Sequence, residues 1–154
     1  VAKYGEAFGA NIIFYDKKNV KHKSGWTRSN SLLDLIKKSR IIVLCADYEN
    51  NQIPIIQKEE IYNLKGKYFI NTSRGELVDE KTLLQSAKNG NFKGVGLDVI
   101  SNENSKNYFK TWQNLIKNHN VILTPHIGGV TKESLEKTEI FIATKLIAKL
   151  NKKG

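Results

Sequence analysis

A doubly wound α/β fold, a parallel sheet with helices on its faces, is what this sequence predicts, and three observations predict it. Short runs rich in Ile, Val and Phe alternate with longer stretches of helical pattern. Most of these runs are continuously apolar, as expected of strands buried on both sides. Cap and turn residues sit where one kind of segment gives way to the other. With 154 residues and 40% hydrophobic content, the chain is long enough for one globular domain with a sizeable core.

Taken in order, residues 1–8 read as the remainder of a helix, stopped by Gly9. Strands are expected at 11–15, near Trp26, and at 41–45, 67–71, 95–99 and 121–124. Helices are expected at 31–38, 58–64, 79–89, 108–117 and 131–150. Asp79 is placed to cap the fourth helix and Gly90 follows its last turn, while Thr131 is placed to cap the long final helix. Tyr108, Phe109 and Trp112 are spaced to pack one helix face into the core. The domain expectation is a sheet domain over 1–130 and a C-terminal helix over 131–154.

The formal charge of +10 invites a nucleic-acid partner, yet only Arg28, Arg40 and Arg74 are arginines and the lysines are scattered over every segment. No nucleic-acid partner is expected. No apolar run approaches the roughly 20 residues that span a bilayer, so no membrane association is expected either. The N-terminus shows no basic-then-apolar secretory pattern, and the single cysteine fits a reducing compartment, so a cytoplasmic location is expected. Cys45 ends an apolar run and reads as a buried structural thiol. His22 and His119, in Lys- and Asn-rich surroundings, read as exposed loop residues.

The stretch 71–80, Asn-Thr-Ser-Arg-Gly-Glu-Leu-Val-Asp-Glu, puts Arg74 in a polar turn directly after an apolar strand. Glu103 and His126 follow downstream, and Glu103 is the only acidic residue between Asp98 and Glu133. An arginine holds a carboxylate by two parallel charge-assisted hydrogen bonds, a histidine moves a proton near neutral pH, and a glutamate holds the imidazole. Those are the tools for redox chemistry on a 2-hydroxy or 2-keto acid. Read singly, each has a plainer meaning: Arg74 as a surface turn residue, and His126 after Thr-Pro as the end of a strand. No metal site is expected.

Asp16 closes the first complete strand, where a dinucleotide-binding fold of the Rossmann type carries an acid that accepts the ribose hydroxyls and favours NAD over NADP. A turn residue is the alternative. The glycine-rich loop that should precede such an acid by about 20 residues would fall upstream of Val1. The chain holds no methionine. It is therefore expected to be a fragment lacking the first strand and the glycine loop of a sheet ordered 3-2-1-4-5-6. That loss would leave two neighbouring strand edges unpaired. The isolated chain is expected to be inactive and to bind NAD weakly or not at all.

The motifs Phe69-Ile-Asn-Thr-Ser-Arg-Gly75, Gly96-Leu-Asp-Val99 with Glu103, and Thr124-Pro-His-Ile-Gly-Gly129 together resemble the D-isomer-specific 2-hydroxyacid dehydrogenases, over essentially the whole chain. The resemblance implies NAD-dependent hydride transfer between nicotinamide and a D-2-hydroxy or 2-keto acid, in a homodimeric full-length protein. It implies that Arg74 binds the substrate carboxylate, that His126 is the acid/base, and that Glu103 pairs with the imidazole and favours its protonated form. It places Asp98 near the nicotinamide, Thr72 and Ser73 beside the cofactor, Cys45 and Ala46 at its border, and Ile127, Gly128 and Gly129 where backbone approaches it closely. Two positions depart from the family pattern: Cys45-Ala46-Asp47 stands where His-Val-Pro is usual, and Asn104 follows Glu103 where proline is usual. The loop carrying Glu103 is expected to be less rigid for it. Non-enzymatic NAD-sensing corepressors on the same fold are the alternative, and a different Rossmann enzyme would make the Arg-Glu-His order a coincidence.

Overall fold

The computed structural model describes residues 1–117 and 119–151; the Phe109 side chain, expected to face the core, lies outside the described set. The chain runs α1 (Ala2–Ala7), β1 (Ile13–Phe14), β2 (Thr27–Arg28), α2 (Leu32–Lys38), β3 (Ile41–Leu44), α3 (Lys58–Asn63) and β4 (Tyr68–Asn71). A 3₁₀ turn (Gly75–Leu77) leads into α4 (Glu80–Lys88), β5 (Gly94–Leu97), α5 (Lys106–Ile116), β6 (Val121–Leu123) and α6 (Lys132–Leu150). Two compact units result, Val1–Leu123 and Thr124–Gly154.

Every strand pairing is parallel: β1 with β2, and β3, β4, β5 and β6 side by side in sequence order. Parallel neighbours require crossovers, which α3, α4 and α5 supply, and crossovers of one hand between strands laid in order put these helices on one face. No pairing joins β1 to β3 among the described residues, so the sheet is broken at the position where the predicted strand order leaves a gap. Ile41, on the open edge strand β3, is 59% exposed.

That one-sided arrangement corrects the expectation of strands buried on both faces. In β3 and β4, Ile42, Leu44, Phe69 and Asn71 are buried while Ile41 and Tyr68 are exposed, the two-residue alternation of a pleat covered on one side. The core collects under the buried face, where Ile36, Ile61, Leu64, Leu77, Leu83 and Trp112 lose essentially all their exposure. Full burial of a Leu, Ile or Phe side chain contributes about 1.5–3 kcal/mol, so this layer carries the stability of the domain. Trp112 and, in part, Tyr108 join it as the helical spacing predicts.

Capping aims the helices. Asp79 Oδ1 accepts the Thr82 N–H at 3.2 Å and Oδ2 its hydroxyl at 2.7 Å, which starts α4 at Glu80. Gly90 follows with φ of 66°, a left-handed stop that glycine adopts without Cβ strain. Thr131 Oγ1 accepts the Ser134 N–H at 3.1 Å at the start of α6. Among the described residues, no helix is long and apolar enough to cross a membrane.

Candidate active site

The carboxyl ends of β3, β4 and β5 lie along one edge of the sheet, and the chemistry-bearing turns leave from there. At the end of β4 the apolar run stops at Asn71, which is 1% exposed. Its Nδ2 donates to the Arg74 carbonyl at 2.9 Å and its Oδ1 accepts the Ser73 N–H at 3.0 Å, so the turn wraps around a buried amide. Ser73 donates its hydroxyl to the Leu44 carbonyl at 3.0 Å, tying the turn to the end of β3. Thr72 and Arg74 are left exposed, and Arg74 Nη1 donates to the Ser73 carbonyl at 2.7 Å. Asn71 had no role in the sequence reading; a polar residue closing an apolar strand directly before a turn was the signal available.

After β5 the chain enters a second turn. Asp98 is buried, its N–H donating to the Asn71 carbonyl at 3.0 Å. Val99 and Ile100 are buried as well, and the chain then emerges through Ser101 to the exposed Glu103. Asn102 takes a φ of 57°, a left-handed conformation that asparagine tolerates better than most residues, and its carbonyl accepts the Ser105 N–H at 2.9 Å. Gly75 joins the two turns. A Cβ there would stand 2.1 Å from Ser101 N and 2.2 Å from Ile100 C, so the backbone after Arg74 lies directly against the backbone before Glu103.

Glu80 lies beneath this junction, 6% exposed. It accepts the Ser101 N–H at 2.7 Å, and also the hydroxyls of Ser101 and Tyr108. Burial pushes its carboxyl above the usual carboxylate range; the hydrogen bonds from Ser101 and Tyr108 oppose that shift, and the nearby charge of Glu76 adds to it. Tyr108 is pushed up to about 12, first by burial and then by its bond to Glu80 and that group's charge. Glu80 also went unmarked in the sequence reading, because its partners lie 21 and 28 residues away.

The remaining predicted residues fall as follows. Cys45 is exposed, which corrects the expectation of a buried thiol: the alternation that buries Ile42 and Leu44 turns Cys45 to the other side. Ala46 is half-buried and packs on the core. Asp16 lies two residues past β1, not at the end of a strand over 11–15 as expected, and its Oδ1 accepts the Lys18 N–H at 2.7 Å. Arg28 orders that loop by donating to the carbonyls of Asp16 and Lys18, each at 2.9 Å, and to Asn19 Oδ1 at 2.8 Å. His22 is exposed with its ring 4.8 Å from Phe14, whereas His119 is half-buried, its N–H bonded back to Leu115 at the end of α5.

His126 belongs to the second compact unit. Its N–H donates to the Thr124 carbonyl at 3.0 Å, closing a tight turn over Pro125, and its φ is 54°. A histidine held in the left-handed region is uncommon, and such residues cluster at functional sites. Ile127, Gly128 and Gly129 continue as an exposed turn in which the Val130 N–H bonds to the Ile127 carbonyl at 3.1 Å. A Cβ on Gly129 would meet nothing within 4 Å, so packing within the chain does not demand glycine there.

The parallel α/β sheet, with an arginine turn packed against a glutamate-bearing loop at its carboxyl edge, has the form of a nucleotide-binding domain. The profile of the D-isomer-specific 2-hydroxyacid dehydrogenase NAD-binding domain matches residues 1–128, and the chain belongs to that family. D-3-phosphoglycerate dehydrogenase 1 of Saccharomyces cerevisiae is 31% identical over 155 residues, covering 95% of this chain and 33% of the yeast protein. Glyoxylate reductase of Pyrococcus furiosus is 30% identical over 151 residues, covering 96% of this chain and 44% of that protein. The crystal structure of D-lactate dehydrogenase from Aquifex aeolicus, complexed with NAD and lactic acid, matches with a TM-score of 0.81 at 33% identity over 96% of this chain and 49% of that one. D-2-hydroxyisocaproate dehydrogenase matches with a TM-score of 0.86 at 30% identity, covering 99% of this chain and 49% of that one. The chain thus spans a third to a half of the length of these relatives.

Proposed function

We propose that this chain is the cofactor-binding and catalytic part of an NAD-dependent dehydrogenase that interconverts a D-2-hydroxy acid and its 2-keto acid. The observation that carries the reading is the stacking of the Arg74 turn on the Glu103 loop through Gly75, at the carboxyl edge of the sheet. Family membership and the NAD named for its domain support the cofactor. The donors present suit it: Asp16 offers a carboxylate in the loop after β1, and the backbone at Gly129 is uncovered by any side chain of its own. Thr72, Ser73, Asp98, Cys45, Ala46 and the 127–129 turn complete the residues that would hold NAD, which when bound accepts or supplies the hydride.

In this reading Arg74 grips the substrate carboxylate with its guanidinium fork and so fixes the carbonyl. His126 gives a proton to the carbonyl oxygen in reduction and takes it back in oxidation, and Glu103 orients the imidazole. Arg74→Lys keeps the charge but loses the fork. It is expected to raise KM for the 2-keto acid by about tenfold or more, the worth of one charged hydrogen bond, with little change in NADH affinity. Steady-state kinetics beside a fluorescence titration of NADH check this; an unchanged KM would remove Arg74 from the substrate site.

The reading itself is tested by following loss of reduced nicotinamide absorbance when the full-length protein meets a panel of 2-keto acids. Turnover of one of them supports it; NADH binding without turnover of any would favour a regulator instead. The full-length protein is further expected to be a homodimer, which light scattering reads directly.

A further inference from the structure

Glu103 stands in an exposed turn, followed by Asn104 and with no proline between it and Pro125 to stiffen it. Something else must hold that turn if Glu103 is to act on an imidazole. The anchors lie underneath. Ser101, two residues before Glu103, gives both its N–H and its hydroxyl to the Glu80 carboxylate, and Tyr108, five residues after, gives its hydroxyl to the same group. Both ends of the segment are therefore tied to one buried point on the first turn of α4, whose start is itself fixed by the Asp79 cap. Between the anchors, the left-handed Asn102 and the bond from the Ser105 N–H to its carbonyl close the turn.

We propose that Glu80 is a positioning residue for Glu103: by clamping Ser101 and Tyr108 it fixes the 101–108 segment and so aims the Glu103 carboxylate. This rests on the reading of Glu103 as the partner of the acid/base. In this role Glu80, buried beneath the loop, acts through Ser101 and Tyr108. A buried carboxylate with three donors is costly to strip of them and inexpensive to replace by its amide. In Glu80→Gln the amide would accept the Ser101 N–H through its oxygen and offer its two N–H hydrogens to the hydroxyl oxygens of Ser101 and Tyr108.

The test compares Glu80→Ala, Glu80→Gln and Tyr108→Phe in the full-length protein, by kcat, by NADH affinity, and by amide hydrogen exchange over residues 100–105. Glu80→Ala is expected to lower kcat by about 10- to 100-fold, the cost of misaiming a catalytic group by an ångström or so, with NADH affinity unchanged. Exchange over 100–105 quickens in the same variant, and Glu80→Gln restores both. In a Glu103→Gln background, Glu80→Ala costs little more, because the group it aims is already gone. Losses that simply add in that double variant overturn the proposal, and so does unchanged exchange. If Glu80→Ala fails to fold, Tyr108→Phe carries the same comparison with only one of the three donors removed. Absence of turnover in the wild type overturns the functional reading instead, while exchange over 100–105 still decides whether the clamp exists.

Discussion

Replacement of His126 by alanine is expected to lower kcat by about 10²- to 10⁴-fold, the usual worth of a positioned general acid/base, while NADH affinity stays within about twofold. In the proposed reading the imidazole acts at the substrate oxygen, so the cofactor loses no partner essential to its grip. Alanine also brings a second effect. His126 sits at φ 54°, where an L-residue with a Cβ pays roughly 1–2 kcal/mol and alanine has no side chain to recover it. His126→Asn separates the two, since asparagine visits this region readily yet cannot carry a proton near neutral pH. Both variants should lose turnover alike, with only the alanine variant losing stability. Turnover that survives in His126→Asn would show that the backbone shape, and not the imidazole, is what the position supplies. Equal loss of NADH binding and turnover in both would assign the histidine a structural role.

Strands, helices and the order of the site residues were legible because each depends on local pattern. The runs at Ile41–Leu44 and Tyr68–Asn71 are apolar and bounded by turns, and Asp79 and Thr131 cap helices through bonds that reach only three residues ahead. Which face of a strand is covered is not local. It is set by where the crossovers carry the helices, so Ile41 and Cys45 read as core in the sequence and lie exposed in the fold. The supporting residues were hidden for the same reason. Arg74 and Glu103 announce themselves as charges in turns, whereas Gly75 and Glu80 act through contacts that form only when the loops after β4 and β5 come together. A short polar side chain at a strand end and an acid on the first turn of a helix look like ordinary caps until their partners are known.

Gly75→Ala is expected to be the most damaging single-methyl change in this chain, to stability and to activity at once. The added Cβ would stand 2.1 Å from Ser101 N and 2.2 Å from Ile100 C, both backbone atoms of a segment pinned by Glu80, so no side chain can swing aside. Relief requires the two turns to part. Overpacking of this kind costs about 1–3 kcal/mol and, against backbone, the upper end or beyond. The same movement separates Arg74 from Glu103, and displacement by about 1 Å in such a constellation lowers turnover by about 10²-fold. Gly96→Ala provides the contrast: its Cβ would meet the Ile70 side chain at 3.7 Å, an ordinary contact, so stability should change by less than about 1 kcal/mol. Denaturant midpoints and kcat for the two variants decide the matter. A Gly75→Ala protein as stable as Gly96→Ala, with full turnover, would mean that the arginine and glutamate turns are not held against each other in solution, and that the fixed geometry assigned to the site is wrong.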